Sequence, residues 1–254
     1  MKVEVIESTD RADKLVCKCA RNDYMHEWIG EKKYEEIMEN VAYNENDVEL
    51  AEQCSDNWPS SGEHMELEAR TAGLIRRLVK RGHWGPMEAP QITFSIQGVS
   101  RVVMSQITRH RHLSFDVQSM RYVDFSDVEF IEPPALAGLS DFSRESGEVD
   151  IDDRETLREE YESRVTEAVG QYEKMVGDGV PKEAARYVLP LGTPVNITVS
   201  GNLRSFLHLL TLRDKPDVQP ETRQLAQALS TELIDWAPYS THIYKDAAPF
   251  RPSP

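Results

Sequence analysis

Residues 91–121 read QITFSIQGVSRVVMSQITRHRHLSFDVQSMR. In Gln91–Gly98, Ile92, Phe94 and Ile96 alternate with polar neighbours, the period of a strand with one buried face. Ser100 stands where a helix N-cap is wanted, and the pattern predicts a helix from there to about His110. His112–Gln118 has no clean period, and Arg121–Phe125 reads as a short strand. A strand that runs straight into a helix is the unit from which the rest of the fold is read.

Working outward, a first strand is expected at Lys2–Ile6, and the rest of residues 1–60 is mixed and polar. Glu63–Arg81 reads as a helix, with Leu67, Leu74, Ile75, Leu78 and Val79 at helical spacing and Gly82 as its stop. His83–Pro90 is a loop punctuated by Gly85, Pro86 and Pro90. Downstream, Glu155–Val176 is expected to be amphipathic, with Leu157, Tyr161, Val165, Val169, Tyr172 and Val176 on one face. Pro181 opens a helix to about Leu189, and Thr193–Ser200 alternates through Val195, Ile197 and Val199. Asn202–Arg213 and a final helix, Glu221–Trp236, complete the pattern. The expected class is α+β: several helices packed on a small central sheet, one domain over residues 1–254, with an acidic surface insertion at about 133–154.

Hydrophobic residues are 39% and charged residues 29%, the balance of a globular chain. No apolar run is long enough to span a bilayer, and the N-terminus lacks a signal-peptide core, so a cytoplasmic location is expected. The net charge of −15 argues against nucleic-acid and anionic-membrane partners. Nineteen arginines to ten lysines, in so acidic a chain, suit a high-salt setting as well as an ordinary acidic protein. Three cysteines, Cys17, Cys19 and Cys54, are too few and wrongly spaced for a disulfide framework or a structural zinc site, and no metal is expected. Cys54 has Glu52 and Asp56 nearby, the wrong sign to activate a thiolate.

The acid is unevenly spread. Between Arg101 and Tyr122 stand four arginines and one acid, Asp116. Such an island suggests an anion site. If the helix extends through Arg111, Arg109 and Arg111 lie about 200° apart and face different anions. Arginine suits phosphate because its planar fork binds bidentately, and Ser119 with neighbouring backbone N–H groups can complete a cradle. Surface ion pairing is the competing explanation, and geometry alone leaves the two open.

Arg109-His110-Arg111, then seven residues and Ser119, resembles the signature of the flavin-dependent thymidylate synthases. Further motifs follow in order: His83 with Pro86 and Glu88; Gln106 three residues before the signature; Ala185-Arg186 with Val188-Leu189-Pro190; and Asn202-Leu203-Arg204-Ser205 with His208 and Arg213. Ser55 matches an N-terminal serine of the family, and Asp217 departs where some relatives carry histidine. The resemblance spans roughly residues 50 to 236.

The resemblance implies reductive methylation of dUMP to dTMP. Its carbon donor is 5,10-methylenetetrahydrofolate, its cofactor FAD and its reductant NADPH, with no cysteine nucleophile. It assigns Gln106, Arg109, Val117, Gln118, Ser119, Met120, Arg121, Arg186 and Arg213 to dUMP, with Arg213 catalytic. It assigns Ser55, Glu88, Arg109, His110, Arg111, His112, Asn202, Arg204 and His208 to FAD, and His83 to a folate or flavin site. It also implies a homotetramer with sites shared between subunits. A non-catalytic flavin- or nucleotide-binding regulator on the same fold is the alternative. His26, His64 and His242 lack partners at metal spacing, and Trp58, Trp84 and Trp236 read as core or interface residues.

Overall fold

The structure is a computed structural model that describes residues 1–54, 62–138, 142–143, 147–148 and 151–247. Ser55 and Trp58 lie outside the described residues, as does part of the 133–154 segment. In chain order the elements are β1 (Lys2–Ser8), α1 (Ala12–Asn22), α2 (Tyr34–Met38), α3 (Glu45–Cys54), α4 (Gly62–Arg81), β2 (Gln91–Ser100), α5 (Arg101–Ile107) and β3 (Ser114–Val117). They continue as β4 (Phe142–Ser143), β5 (Gly147–Glu148), α6 (Arg154–Gly177), α7 (Lys182–Ala185), β6 (Pro194–Asn202), α8 (Leu203–Arg213), α9 (Pro220–Trp236) and α10 (Pro238–Ala247). The long strands form an antiparallel sheet in the order β1-β2-β6-β3, while β4 and β5 pair with each other. The class is α+β, as the patterning predicts.

The sheet's inner face follows from alternation. Phe94, Ile96, Val195, Ile197 and Val199 are almost wholly buried, while their strand neighbours are half-buried or exposed. Gly82 ends α4 in the left-handed region at φ 69°, a conformation that carries little cost only for glycine.

The chain forms two compact units. One comprises Met1–Glu4, Phe94–Val199 and Asp214–Leu225. It holds an apolar cluster of Met120, Phe125, Tyr172 and Ala185, lined by Val123, Met175, Val180 and Leu189. The other comprises Val5–Thr93, Ser200–Arg213 and Ala226–Pro254. Within it Val16, Ile37, Met38, Ile75, Phe206 and Leu233 are buried. Asp13, fully buried there, accepts from the Tyr239 N–H at 2.8 Å and the Ser240 N–H at 3.1 Å, which satisfies the first turn of α10.

Four expectations are corrected. The helix after Ser100 ends at Ile107 rather than near His110, because Thr108 caps it and the chain turns. Residues 114–117, read as lacking a period, are a strand: β3 is a short edge strand in which Phe115 and Val117, only half-buried, alternate with the exposed Ser114 and Asp116. Arg121–Phe125 is not a strand; Tyr122 and Val123 donate to the Ser119 carbonyl and close a turn. Glu221–Trp236 is not the last helix, since α10 follows after Ala237. The polar N-terminal 60 residues also hold α1, α2 and α3, short helices that each bury only a few apolar residues, among them Val16, Ile37, Met38 and Leu50.

Candidate active site

In the unit containing Phe94–Val199, the basic residues gather around the turn after β3. Ser119 Oγ accepts from the Arg121 N–H at 3.3 Å. Gln118 is tied to β6 twice, donating its N–H to the Asn196 carbonyl at 2.9 Å and accepting the Asn196 N–H at 3.2 Å. The turn is thereby fixed to the sheet. Met120 is buried beneath it, and its Sδ accepts from Arg101 Nη1 at 2.9 Å. Arg121 Nε meets Glu183 Oε2 at 2.6 Å, and Arg186 Nε donates to the Glu183 carbonyl at 3.1 Å. Glu183, at the first turn of α7, therefore gathers Arg121 and Arg186.

Arg101 belongs to the same cluster, although no motif assigns it a role. Burial lowers its guanidinium pKa, and the like charge of Arg186 lowers it further. Among the described residues it has no carboxylate partner. Among the described residues the three arginines have one ion pair between them, Arg121 to the Glu183 carboxylate, so the cluster carries unsatisfied positive charge of the kind a phosphate neutralises. The signal for Arg101 was the basic island itself; what sequence lacked was the contact through Met120.

Gln106 is half-buried in the last turn of α5, and Val117 is the last residue of β3. Arg109, Arg111 and His112 are exposed in the turn that follows α5. No hydrogen bond or ion pair joins the side chains of Arg109 and Arg111 to any described residue. His110 between them is buried, with its N–H on the Ile107 carbonyl at 3.0 Å. Because the helix stops at Ile107, the 200° projection no longer describes Arg109 and Arg111; a turn sets their directions.

The second unit holds the other set. Asn202 caps α8, its Oδ1 accepting the Ser205 N–H at 2.9 Å. Arg204 and His208 are exposed one turn apart, whereas Leu203, Phe206, Leu207, Leu209 and Leu210 are buried. Arg204 pairs with Glu88, which closes the 3-10 turn Gly85–Glu88. Arg213, nine residues beyond Arg204 on an unbroken helix, lies about 180° around the axis and is half-buried. His83 Nε2 stands 3.5 Å from Asp23 Oδ2, a neighbour 60 positions away that sequence does not show. No group of His, Cys, Asp and Glu suited to a metal occurs among the described residues.

Each thiol is disfavoured as a nucleophile. Burial drives Cys17 well up, raises Cys54 to about 11, and raises Cys19, which also faces the charge of Asp23. No helix among the described residues is long and apolar enough to cross a membrane.

The sequence profile of the family described as thymidylate synthase complementing protein matches residues 4–239. The chain is 37% identical to the flavin-dependent thymidylate synthase of Halobacterium salinarum, an alignment covering 96% of this chain and 95% of that one. It is 36% identical to the flavin-dependent thymidylate synthase of Haloarcula marismortui, with the same coverage. Its fold matches the crystal structure of a UMP/dUMP methylase, PolB from Streptomyces cacaoi bound with 5-Br dUMP, at a TM-score of 0.70. That match covers 96% of this chain and 94% of that one at 23% identity. The chain is an enzyme of the thymidylate synthase complementing protein family and belongs with the flavin-dependent thymidylate synthases.

Proposed function

We propose that this enzyme reductively methylates dUMP to dTMP, with 5,10-methylenetetrahydrofolate as carbon donor and NADPH as reductant of a bound FAD. The observation that carries the reading is the cluster of Arg101, Arg121 and Arg186 around Met120 and Glu183, beside Ser119. Its charge and its backbone turn suit the phosphate of a nucleotide. Gln106 and Arg109, just upstream, supply further dUMP contacts, and Arg213 supplies a fixed cation beside the pyrimidine. A guanidinium there stabilises negative charge on the ring in a site that excludes water.

The residues of α8 fit a flavin dinucleotide. Exposed Arg204 and His208 share a face, Asn202 caps the same helix end, and Glu88 pairs with Arg204. Arg111 and His112 add exposed donors without a side-chain partner among the described residues. The flavin, when bound, supplies the hydride chemistry, while these side chains bind and orient it. The enzyme works as a homotetramer whose sites are shared between subunits. Mixed variants at Arg109 and Arg213, each inactive alone, then regain activity on subunit exchange.

The absorbance spectrum of the purified protein tests the reading, followed by bleaching with NADPH and assay for dTMP with dUMP and the folate. A yellow protein that NADPH bleaches and that forms dTMP supports it. A flavin-loaded protein that never forms dTMP points to a non-catalytic binder.

A further inference from the structure

Helix α5 is seven residues long, and two turns of helix do not hold a direction in water unaided. Yet Gln106 is in its last turn and Arg109 follows two residues after its end. Something outside the helix must aim it. At its N-terminus, Ser100 Oγ accepts the Val103 N–H at 3.2 Å, the usual capping bond. Ser100 itself is fully buried and gives both of its hydrogens to one carboxylate. Its N–H donates to Glu221 Oε1 at 2.8 Å and its hydroxyl to Glu221 Oε2 at 2.6 Å.

Glu221 is only 6% exposed and makes no ion pair with a described residue. A buried carboxylate without a cation is costly unless dipoles replace the lost water. Glu221 has two sets of them. It is the second residue of α9, and it faces the capped first turn of α5. Two helix N-termini therefore converge on one negative charge. The carboxylate also fixes the Ser100 hydroxyl rotor, leaving its lone pair for Val103. The chain of bonds runs from Val103 N–H through Ser100 to Glu221.

We propose that Glu221 is a positioning residue for dUMP binding, aiming α5 through Ser100. This rests on the reading of Gln106 and Arg109 as dUMP contacts. The lever is short but sufficient. Seven residues of helix span about 10 Å, so a tilt of about 10° at the cap moves the far end by about 2 Å. A misplacement of about 1 Å already costs binding and turnover. Glutamine changes the contact: its NH2 group can only donate to Ser100 Oγ, which then accepts from Val103 and glutamine together and must turn its own hydrogen away from the acid's place.

The test is dUMP affinity of the flavin-loaded protein by calorimetry, in Glu221→Gln, Ser100→Ala and the double variant. Circular dichroism and thermal midpoints are read in parallel. The expected result is dUMP affinity lowered tenfold or more in Glu221→Gln, lowered in Ser100→Ala, and no weaker in the double variant than in the worse single. Native affinity in a folded Glu221→Gln overturns the proposal, as do losses that multiply in the double variant. Should Glu221→Gln fail to fold, Glu221→Asp takes its place: it keeps the charge but draws it back by one methylene, and native dUMP affinity there also overturns the proposal. Arg109→Ala is the control. Native dUMP affinity in Arg109→Ala removes the underlying reading of the helix end, whereas weak binding there with native binding in Glu221→Gln overturns the Glu221 proposal alone.

Discussion

At the scale of single residues, charge and burial divide the groups that act from those that do not. Burial raises the pKa of all three thiols, so none is a thiolate at neutral pH. Replacing Cys17, Cys19 and Cys54 together by alanine leaves turnover within about threefold of native, at a stability cost on the order of 1–2 kcal/mol for the buried pair. The kcat for dTMP formation at 25 °C checks this, and complete loss in a folded variant would favour a covalent route. Arg213 is the opposite case, a half-buried cation on a helix whose inner face is leucine and phenylalanine. Arg213→Ala is expected to keep its flavin and lose at least tenfold in turnover at saturating dUMP. Arg213→Lys should recover little, since lysine lacks the planar fork. Near-native turnover in Arg213→Ala would make the residue structural. The residues that sequence left unassigned, Arg101, Glu183 and Glu221, are those whose partners lie 19, 62 and 121 positions away.

At the scale of elements, helix ends decide more than helix middles. Asp13 satisfies the start of α10 while fully buried; burial lifts its pKa from 3.8 to about 6, against the hydrogen bonds from Ser240 and Tyr239 that pull it down. Because the folded pKa lies above the unfolded one, the native state binds more protons between pH 3.8 and about 6. This group's contribution is therefore most favourable below pH 3.8 and declines as pH rises to about 6, by about 3 kcal/mol in all. Denaturant titrations of wild type and Asp13→Asn across pH 4 to 7 read the effect of Asp13 together with its coupled neighbour Glu68, since the more distant carboxylates cancel in the difference. The stability of wild type relative to the variant should fall over that window, and a flat difference would show that Asp13 does not titrate there. The same scale explains the turn after Ile107. A capping serine and an apolar run mark where α5 begins, but its end is set by Thr108 and by buried His110, which local pattern does not show.

At the scale of the whole molecule, a net charge of −15 makes self-repulsion a standing cost. Raising salt from roughly 0.1 M to roughly 1 M shortens the screening length from about 10 Å to about 3 Å. The thermal midpoint should rise by about 5 °C or more over that range, read by calorimetry in KCl. A midpoint that falls throughout would show that specific ion pairs outweigh the general field. Sequence alone determined the α+β class and the strands β2 and β6, because apolar periodicity is a local property that burial later enforces. It also determined the family, since ordered motifs such as Arg109-His110-Arg111 and Asn202-Leu203-Arg204 are contiguous in the chain. Only the tertiary structure decided which charges meet. That Arg121 and Arg186 gather on Glu183, that Arg101 finds a sulfur rather than a carboxylate, and that Glu221 reaches Ser100 are outcomes of packing. Electrostatic partners are chosen by distance in space, and nothing in local pattern encodes a distance across a hundred residues.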